Sequence, residues 1–252
     1  MCLIMNADDW GRDKETTDRT LACVLCRSIS SVSAMVFMKD SERAATIALE
    51  RGIDTGLHLN FTTPFTAAGS SAQIGKHLES VSRYLRRHRL ASIMFNPGLT
   101  RSFEYLVSAQ REEFARLFGK EPERLDGHHH MHLCANMLLG GLLPAGTRVR
   151  RNFSFQRGEK SVWNRLYRRA SDHILARRHS IADLFYSLPP LDPPSRVQKI
   201  FALAREFSVE VETHPVNPEE YRFLSQGEVF RCAGDIPIEA RHTVSAPRPT
   251  RQ

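Results

Sequence analysis

The sequence has few cysteines and no long apolar run. Its five cysteines are an odd number, and only Cys23 and Cys26 lie close together. This pattern supports neither a disulfide framework nor a four-cysteine zinc site, so we expect a reducing, cytoplasmic setting. No run approaches the roughly 20 apolar residues of a membrane-spanning helix, and the opening residues do not resemble a signal peptide. We therefore expect no transmembrane segment.

Two common catalytic signatures are also missing. The sequence contains neither a glycine-rich phosphate loop of the P-loop type nor a GxSxG nucleophile elbow. These absences disfavour P-loop nucleotide hydrolysis and the serine chemistry of α/β-hydrolases.

The positive charge is concentrated in one segment. The 252 residues carry a formal net charge of +7, and residues 148–179 contain ten Lys or Arg against two acids, a balance of +8. We interpret residues 148–179 as a basic insertion in an otherwise nearly neutral body. Such a patch could be a solvated helix face or could contact an anionic substrate or a lipid surface. A nucleic-acid partner is the less favoured interpretation, and we expect none.

Short apolar segments alternate with longer amphipathic ones along the chain. The predicted strands cover residues 1–7, 32–37, 54–60, 124–130, 147–151, 181–186 and 209–214, with helices at 14–27, 41–51, 72–89, 102–117 and 194–207. Strands separated by helices favour βα units and a parallel sheet. Seven such units predict an α/β fold, an irregular, TIM-barrel-like (β/α) barrel with its helices outside. A single domain would span residues 1–244, and we expect the tail at 245–252 to be disordered.

Side chains that can bind a metal or transfer a proton follow four of the predicted strands. They are Asp8 and Asp9 after the first strand, His58 and Asn60 in the third, the histidines of 128–132 after the fourth, and His214 after the seventh. Because the carboxyl ends of parallel strands meet at one rim, we expect these side chains to converge. Each has a structural alternative: the adjacent aspartates could form a turn that caps a helix, and a strand histidine could be a satisfied core residue.

The histidines after the fourth strand are the strongest single signal. Four of five consecutive positions are histidine. If the strand continues through them, its alternation places His128, His130 and His132 on one side and His129 on the other. Neutral imidazole is a common ligand for zinc and similar metals, so the segment indicates a metal site.

Together these motifs resemble those of a known family. Residues 6–11, 56–60, 126–132 and 213–215 are similar, in this order, to the motifs of YdjC-like carbohydrate deacetylases. The similarity extends from about residue 3 to residue 216. The family includes chitooligosaccharide deacetylases and hopanoid-associated deacetylases. Its fold, an irregular (β/α) barrel, agrees with the alternation of strands and helices.

The resemblance implies a metal site and two groups that transfer protons. In the related NodB-type deacetylases one aspartate and two histidines hold a divalent metal, which implies Asp9, His58 and His128 as the ligands here. The implied ion is zinc or magnesium. The resemblance further implies Asp8 as the catalytic base, unless the two aspartates exchange roles, and His214 as the general acid.

Four further residues are candidates for binding the substrate. They are Trp10, Asn60, His130 and Arg150. Trp10 could stack on a sugar ring or pack in the core, and His130 is the next candidate ligand on the predicted face of His128. Arg150 resembles a family arginine that orients an acidic partner near the site.

The resemblance implies hydrolysis of an N-acetyl group on an amino sugar, with release of acetate. The substrate would be a mono- or oligosaccharide, and the basic segment allows one that carries a phosphate or a lipid. Two alternatives stay open. One is another barrel metallohydrolase, such as a phosphoesterase, and the other is a non-catalytic binding protein that uses the basic segment. A homodimer is compatible with the sequence.

Overall fold

The structure, a computed structural model, describes residues 2–87, 90–155 and 161–240. Within these residues seven strands form one sheet in the order β5-β4-β3-β2-β1-β7-β6, and every neighbouring pair is parallel. The strands are β1 (Cys2–Trp10), β2 (Ser31–Ala34), β3 (Thr55–Leu59), β4 (Arg124–Gly127), β5 (Arg148–Val149), β6 (Leu184–Ser187) and β7 (Ser208–Thr213).

Helices connect these strands on the outside of the sheet. They are α1 (Lys14–Leu25), α2 (Ser41–Arg51), α3 (Ala72–Arg87), α4 (Thr100–Phe118), α5 (Ala135–Gly140), α6 (Val162–Ala176), α7 (Pro194–Ala202), α8 (Pro218–Ser225) and α9 (Glu228–Ala233). Local sequence sets several of their ends. Asp13 and Asn217 cap the starts of α1 and α8 through their side chains, and left-handed Gly52 and Gly119 follow α2 and α4.

β1 is the central strand and is buried along its whole length. It pairs with β7 from Cys2–Ser208 to Ala7–Thr213 and with β2 on its other side. A parallel strand covered on both faces is expected to be apolar throughout, and the first residues of β1 follow this rule. The polar residues of β1 lie in its second half, at the carboxyl end of the strand.

The sheet curls until its two edges approach each other. The Val149 N–H donates to the Ser180 carbonyl at 2.9 Å, and the Ser154 N–H donates to the Phe185 carbonyl at 2.7 Å. These bonds link the segment after β5 to the region of β6. The predicted α/β barrel is therefore confirmed as a curled half-barrel of seven parallel strands with helices around it.

Some predicted boundaries differ from the observed ones. The strand expected at 147–151 is short because the chain leaves β4 after residue 150 and crosses toward β6. The helices α5, α6, α8 and α9 have no predicted counterpart. The segments of α5, α8 and α9 have six to eight residues and carry little periodic pattern. The 15-residue α6 lies in the basic insertion, for which no helix boundaries were predicted. The predicted tail at 245–252 and residues 156–160 of the basic insertion lie outside the described residues, and the single-domain boundary stays a prediction.

In the part of the chain that the structure describes, no helix combines the length and the apolar character needed to cross a bilayer.

Candidate active site

The carboxyl end of β1 is irregular, and this irregularity presents two adjacent aspartates. The pairing of β1 with β2 shifts between Ala7 and Trp10, and Asp9 has a left-handed φ of 64°. Left-handed backbone is uncommon for residues other than glycine, although Asp is among the more tolerant types. Asp8 and Asp9 are both buried. Because the backbone is irregular here, their two carboxylates have different neighbours.

His58 lies beside these aspartates and is held by a third carboxylate. The parallel register places His58 opposite Asp126, and its Nδ1 lies 2.8 Å from Asp126 Oδ1. Its Nε2 lies 3.5 Å from Asp9 Oδ1 and 3.9 Å from Asp8 Oδ2. Burial alone would lower the pKa of His58, but Asp8, Asp126 and Asp9 outweigh burial and raise it to about 9.

The histidine segment does not continue β4, so the prediction that three of its histidines share one side is wrong. The strand ends at Gly127, and a short 3-10 turn follows. His129 and His130 have left-handed φ values of 54° and 57°, which turn the chain sharply. The two-residue alternation of a strand therefore no longer determines where these side chains lie.

The histidines of this turn have four different surroundings. His128 Nδ1 lies 2.9 Å from Asp9 Oδ1, whereas His129 Nδ1 lies 2.9 Å from the hydroxyl of Thr62. His132 is fully buried, and its Nε2 lies 3.0 Å from the Arg150 carbonyl oxygen. His129 is exposed, whereas His130 is half-buried and packs against Phe153.

Asp9, His58 and His128 form a group that could hold a metal ion. One ligand atom from each lies within 4.8 Å of the others. Asp9 Oδ1 is buried and lies 2.9 Å from His128 Nδ1 and 3.5 Å from His58 Nε2, but neither contact has the geometry of a hydrogen bond. A buried carboxylate oxygen left unpaired is costly, and a cation bound by these three residues would satisfy it. The residues present therefore fit a divalent metal.

A second group, Asp8, His58 and Asp126, satisfies the same distance criterion, but its oxygens are already engaged. Arg150 donates to Asp8 Oδ2 at 2.7 Å and to Asp8 Oδ1 at 2.8 Å. Its Nη2 also lies 2.8 Å from Asp126 Oδ2, which accepts from the Ser33 hydroxyl as well. The first group is thus the better fit for a metal.

Arg150 lies beneath the site and does not face the substrate side. Its side chain is buried, and besides Asp8 and Asp126 it binds Glu210 Oε1 at 2.8 Å and lies over the ring of Phe185. The assignment of Arg150 to substrate binding is therefore wrong, because its donors are already used. It orients acidic partners instead, as the resemblance implied. Burial would raise the pKa of Asp8, but Arg150 and His58 hold it well below its usual range.

Trp10 and Asn60 were also expected to bind substrate, but neither side chain is accessible to a substrate. Trp10 is fully buried in the core, and its indole N–H donates to the Ala44 carbonyl at 3.1 Å. Asn60 is fully buried as well. Its Oδ1 accepts from the backbone N–H groups of Thr62 and Thr63, so it shapes the loop after β3. Core packing accounts for the position of Trp10, and the geometry of the loop after β3 accounts for that of Asn60.

His214 follows β7 and is half-buried at the rim. Its imidazole is close enough to Asp8 and Asp9 to contribute to the low pKa of both. Its backbone N–H donates to Glu220 Oε2 at 2.8 Å. Burial, with a smaller contribution from Asp8, raises the pKa of Glu220 to about 7.

Glu212 is a buried site residue that the sequence motifs did not identify. Its Oε2 has no hydrogen-bond partner and lies 3.4 Å from His130 Nε2 and 3.5 Å from Arg150 Nη1. Burial and the charge of Asp8 raise its pKa well above the ordinary value. A signal was present, since Glu210 and Glu212 alternate with apolar residues and so share one face of β7.

Residues 2–226 match the sequence model of the family described as YdjC-like protein. The chain belongs to this family. Similar proteins include a carbohydrate deacetylase from Mus musculus, 29% identical over 52% of this chain and 43% of the mouse protein. A chitooligosaccharide deacetylase from Serratia marcescens is 28% identical over 52% of this chain and 50% of that protein. The YdjC-like chain thus matches about half the length, or less, of these curated relatives.

A solved structure shares the fold of this YdjC-like protein. A protein of Enterococcus faecalis V583, described as a candidate for cellobiose-phosphate cleavage, aligns with a TM-score of 0.67. The alignment covers 94% of this chain and 95% of the other, at 16% sequence identity. This likeness shows a common architecture.

Proposed function

We propose that this protein removes an N-acetyl group from an amino sugar by metal-dependent hydrolysis. The observation that carries the proposal is the cluster of Asp9, His58 and His128 at the carboxyl ends of β1, β3 and β4. Membership in the YdjC-like family supports it, as do relatives named carbohydrate deacetylase and chitooligosaccharide deacetylase. We take the substrate to be an N-acetylated mono- or oligosaccharide.

Asp9, His58 and His128 would hold one divalent ion. Such an ion supplies Lewis-acid chemistry, polarising a carbonyl and lowering the pKa of water. Two imidazoles and one carboxylate suit zinc or a similar transition metal, whereas magnesium prefers oxygen ligands, and both ions belong in the test. Asp126 accepts the Nδ1 proton of His58 in the metal-binding tautomer, which directs the Nε2 lone pair toward Asp9.

Asp8 is the proposed base. Arg150 binds both of its oxygens, and Asn6 Nδ2 donates to Oδ1 at 2.7 Å, so the carboxylate is held in one orientation. It would accept a proton from the water that attacks the acetyl carbon. Because these partners make Asp8 a weak base, its contribution would come from position more than from basicity.

His214 is the proposed acid. An amide nitrogen leaves poorly as an anion, so it needs a proton as the C–N bond breaks. His214 would donate this proton, and its loop is held by the bond from its backbone N–H to Glu220. Water adds to the acetyl group, which leaves as acetate, and the sugar nitrogen becomes a free amine.

An acceptor that carries a phosphate or a lipid is the narrower form of this proposal. A cleft of about 640 Å³ beside His130 is lined partly by α6 of the basic segment, including Trp163, Tyr167 and Arg168. These side chains could contact the part of a substrate that extends beyond the acetylated sugar. No contact in the described residues specifically favours phosphoester hydrolysis.

The test is acetate release from a panel of N-acetylated mono- and oligosaccharides, with inorganic phosphate measured on phosphorylated members. We expect acetate release that a chelator abolishes and that added zinc or magnesium restores. Phosphate release without acetate would replace the proposal with a phosphoesterase. Absence of both products from a folded, metal-loaded protein across plain, phosphorylated and lipid-linked sugars would contradict it.

The variant Asp8→Asn distinguishes the role of Asp8 from that of Asp9. If Asp8 is the base, the variant keeps its bound metal and loses about 10²–10⁴-fold in kcat. Loss of metal in Asp8→Asn, with metal retained in Asp9→Asn, would exchange their roles.

A further inference from the structure

The N-terminal half of α6 exposes an apolar stripe to solvent. Within α6 the buried residues are Ser171, Asp172 and Leu175, all in its second half. In the first half Trp163 is 80% exposed, and Val162, Leu166 and Tyr167 are also exposed. Their spacing of three to four residues places them along one side of the helix. This apolar surface has no packing partner among the described residues that would explain it.

A second exposed apolar segment lines the same cleft as α6. Leu90 and Ile93 line the cleft together with Trp163 and Tyr167, as do His129 and His130. Further exposed side chains adjoin these residues along the chain. We call the eight exposed apolar residues the apolar rim: Leu90, Ile93, Met94, Phe95, Val162, Trp163, Leu166 and Tyr167. Exposed apolar surface of this extent marks an interaction site.

The charges around the apolar rim are positive. Arg165 and Arg169 are exposed on α6, and no described carboxylate forms an ion pair with either. Arg168 lies in the cleft wall, where it binds the amide of Asn164. The acid of α6, Asp172, is buried and already paired with Arg151 at 2.7 Å. As far as the described residues extend, a partner that covers the apolar rim therefore meets positive charge that no carboxylate pairs with.

We infer that the apolar rim docks on an anionic lipid surface. A helix with an apolar stripe flanked by basic residues lies in the plane of a membrane interface. Trp and Tyr favour this region, and arginines near it attract acidic headgroups. All three features are found in the N-terminal half of α6. Docking there would bring the cleft lined by His129 and His130 to the membrane surface.

A second copy of this chain is a poorer match for the apolar rim. A two-fold symmetric dimer brings the same patch of each copy together. Arg165 and Arg169 of both copies would then lie in one interface, and like charges placed across an interface oppose association. Acidic headgroups offer the complementary charge. The inference goes beyond the proposed function, because lipid binding requires neither the metal nor catalysis.

The two tryptophans make the docking directly visible by fluorescence. Trp163 is exposed, whereas Trp10 is fully buried. Mixed phosphatidylcholine and phosphatidylglycerol vesicles should therefore shift the Trp163 emission to shorter wavelength, and pure phosphatidylcholine vesicles should do so much less. In Trp163→Phe the shift should vanish while vesicle co-sedimentation persists, since Phe retains the apolar contact. No vesicle binding by the unsubstituted 252-residue chain would overturn the inference.

Substitutions locate the binding surface. We expect Trp163→Ser with Leu166→Ser to weaken partitioning by roughly tenfold or more, and Arg165→Gln or Arg169→Gln by about fivefold each. Leu49→Ser, at an exposed leucine on α2, is the matched control and should bind like the parent. Equal binding by the rim and control variants would contradict the docking site. A dimer in solution that the rim variants dissociate, without vesicle binding, would assign the surface to self-association.

Discussion

Buried carboxylates outnumber buried guanidinium groups around the candidate site. Among the described residues the buried acids near it are Asp8, Asp9, Asp126, Glu210, Glu212 and Glu220, and the buried arginines are Arg124 and Arg150. Burying unpaired negative charge is costly, and Glu212 shows the effect in a pKa raised well above normal. A bound divalent cation would reduce this imbalance, which is the residue-level basis for proposing a metal.

Asp126 should affect the affinity for the metal without being one of its ligands. Its bond to His58 Nδ1 fixes the ring, so Asp126→Asn should weaken metal affinity by about 10–100-fold. Metal titration calorimetry measures this, with circular dichroism to verify folding. Asp172→Asn, which removes another buried aspartate paired with arginine, is the control and should keep parental affinity. Equal affinity in both variants would show that Asp126 does not support the metal.

Glu220 should make the protein less stable as pH rises. Its pKa is about 7 in the folded protein against 4.5 ordinarily, so the folded state binds the proton more tightly. The stabilisation is complete below about pH 4.5 and is lost as pH rises through about 7. Relative to the parent, Glu220→Gln should gain up to about 3 kcal/mol of unfolding free energy between pH 4.5 and pH 8.

Urea unfolding at several pH values tests this expectation. The variant Glu219→Gln, at the exposed neighbouring residue, is the matched control. A difference between Glu220→Gln and the parent that stays constant across the pH range would contradict the account.

At the scale of elements, the ends of the strands are where regular geometry stops. Asp9, His129 and His130 all have left-handed φ values, and each such position costs of order 1–3 kcal/mol. These residues surround the candidate site, whereas the strands beneath follow ordinary parallel pairing. The fold thus provides a rigid sheet, and the irregular ends bring the reactive side chains together.

Two glycines of the helices provide a matched pair for testing backbone effects. Gly52 follows α2 with a φ of 62°, and Gly75 lies within α3. Neither would meet a neighbour if it gained a Cβ, so packing does not enter. Gly52→Ala should cost about 1–2 kcal/mol of unfolding free energy, whereas Gly75→Ala should gain about 0.5–1 kcal/mol. Chemical denaturation measures both, and the same sign for the two would refute the assignment of these helix ends.

Sequence patterns reveal strands and helices well when the pattern is long. The apolar run of β1 and the motifs at the strand ends predicted the parallel sheet and the convergence of side chains at its rim. The family resemblance implied which of them, Asp9, His58 and His128, would be the ligands. The turn at His129 was not predictable, because positive φ is uncommon for any residue other than glycine, even for histidine, which adopts it more often than most. The burial of Arg150 could not be predicted either, because its carboxylate partners lie on three different strands of the sheet.

At the scale of the whole molecule, metal binding should stabilise the fold. A ligand that binds only the folded state adds about 2.7 kcal/mol when present at 100 times its Kd. For a chain of this size that corresponds to a Tm increase of about 5–10 °C. Differential scanning calorimetry with zinc should show the increase in the parent and in the control His77→Gln. His128→Gln should lose it, and an equal increase in His128→Gln would point to a site elsewhere.

The most direct test of the central claim is a crystal structure of the metal-loaded protein with anomalous scattering measured at the zinc edge. We expect one strong peak bound by Asp9, His58 and His128, at about 2.0–2.2 Å from each ligand atom. His58 should keep its bond to Asp126 in that structure. A peak on Asp8 and Asp126, or no peak at the carboxyl ends of these strands in a protein that has bound zinc, would contradict it.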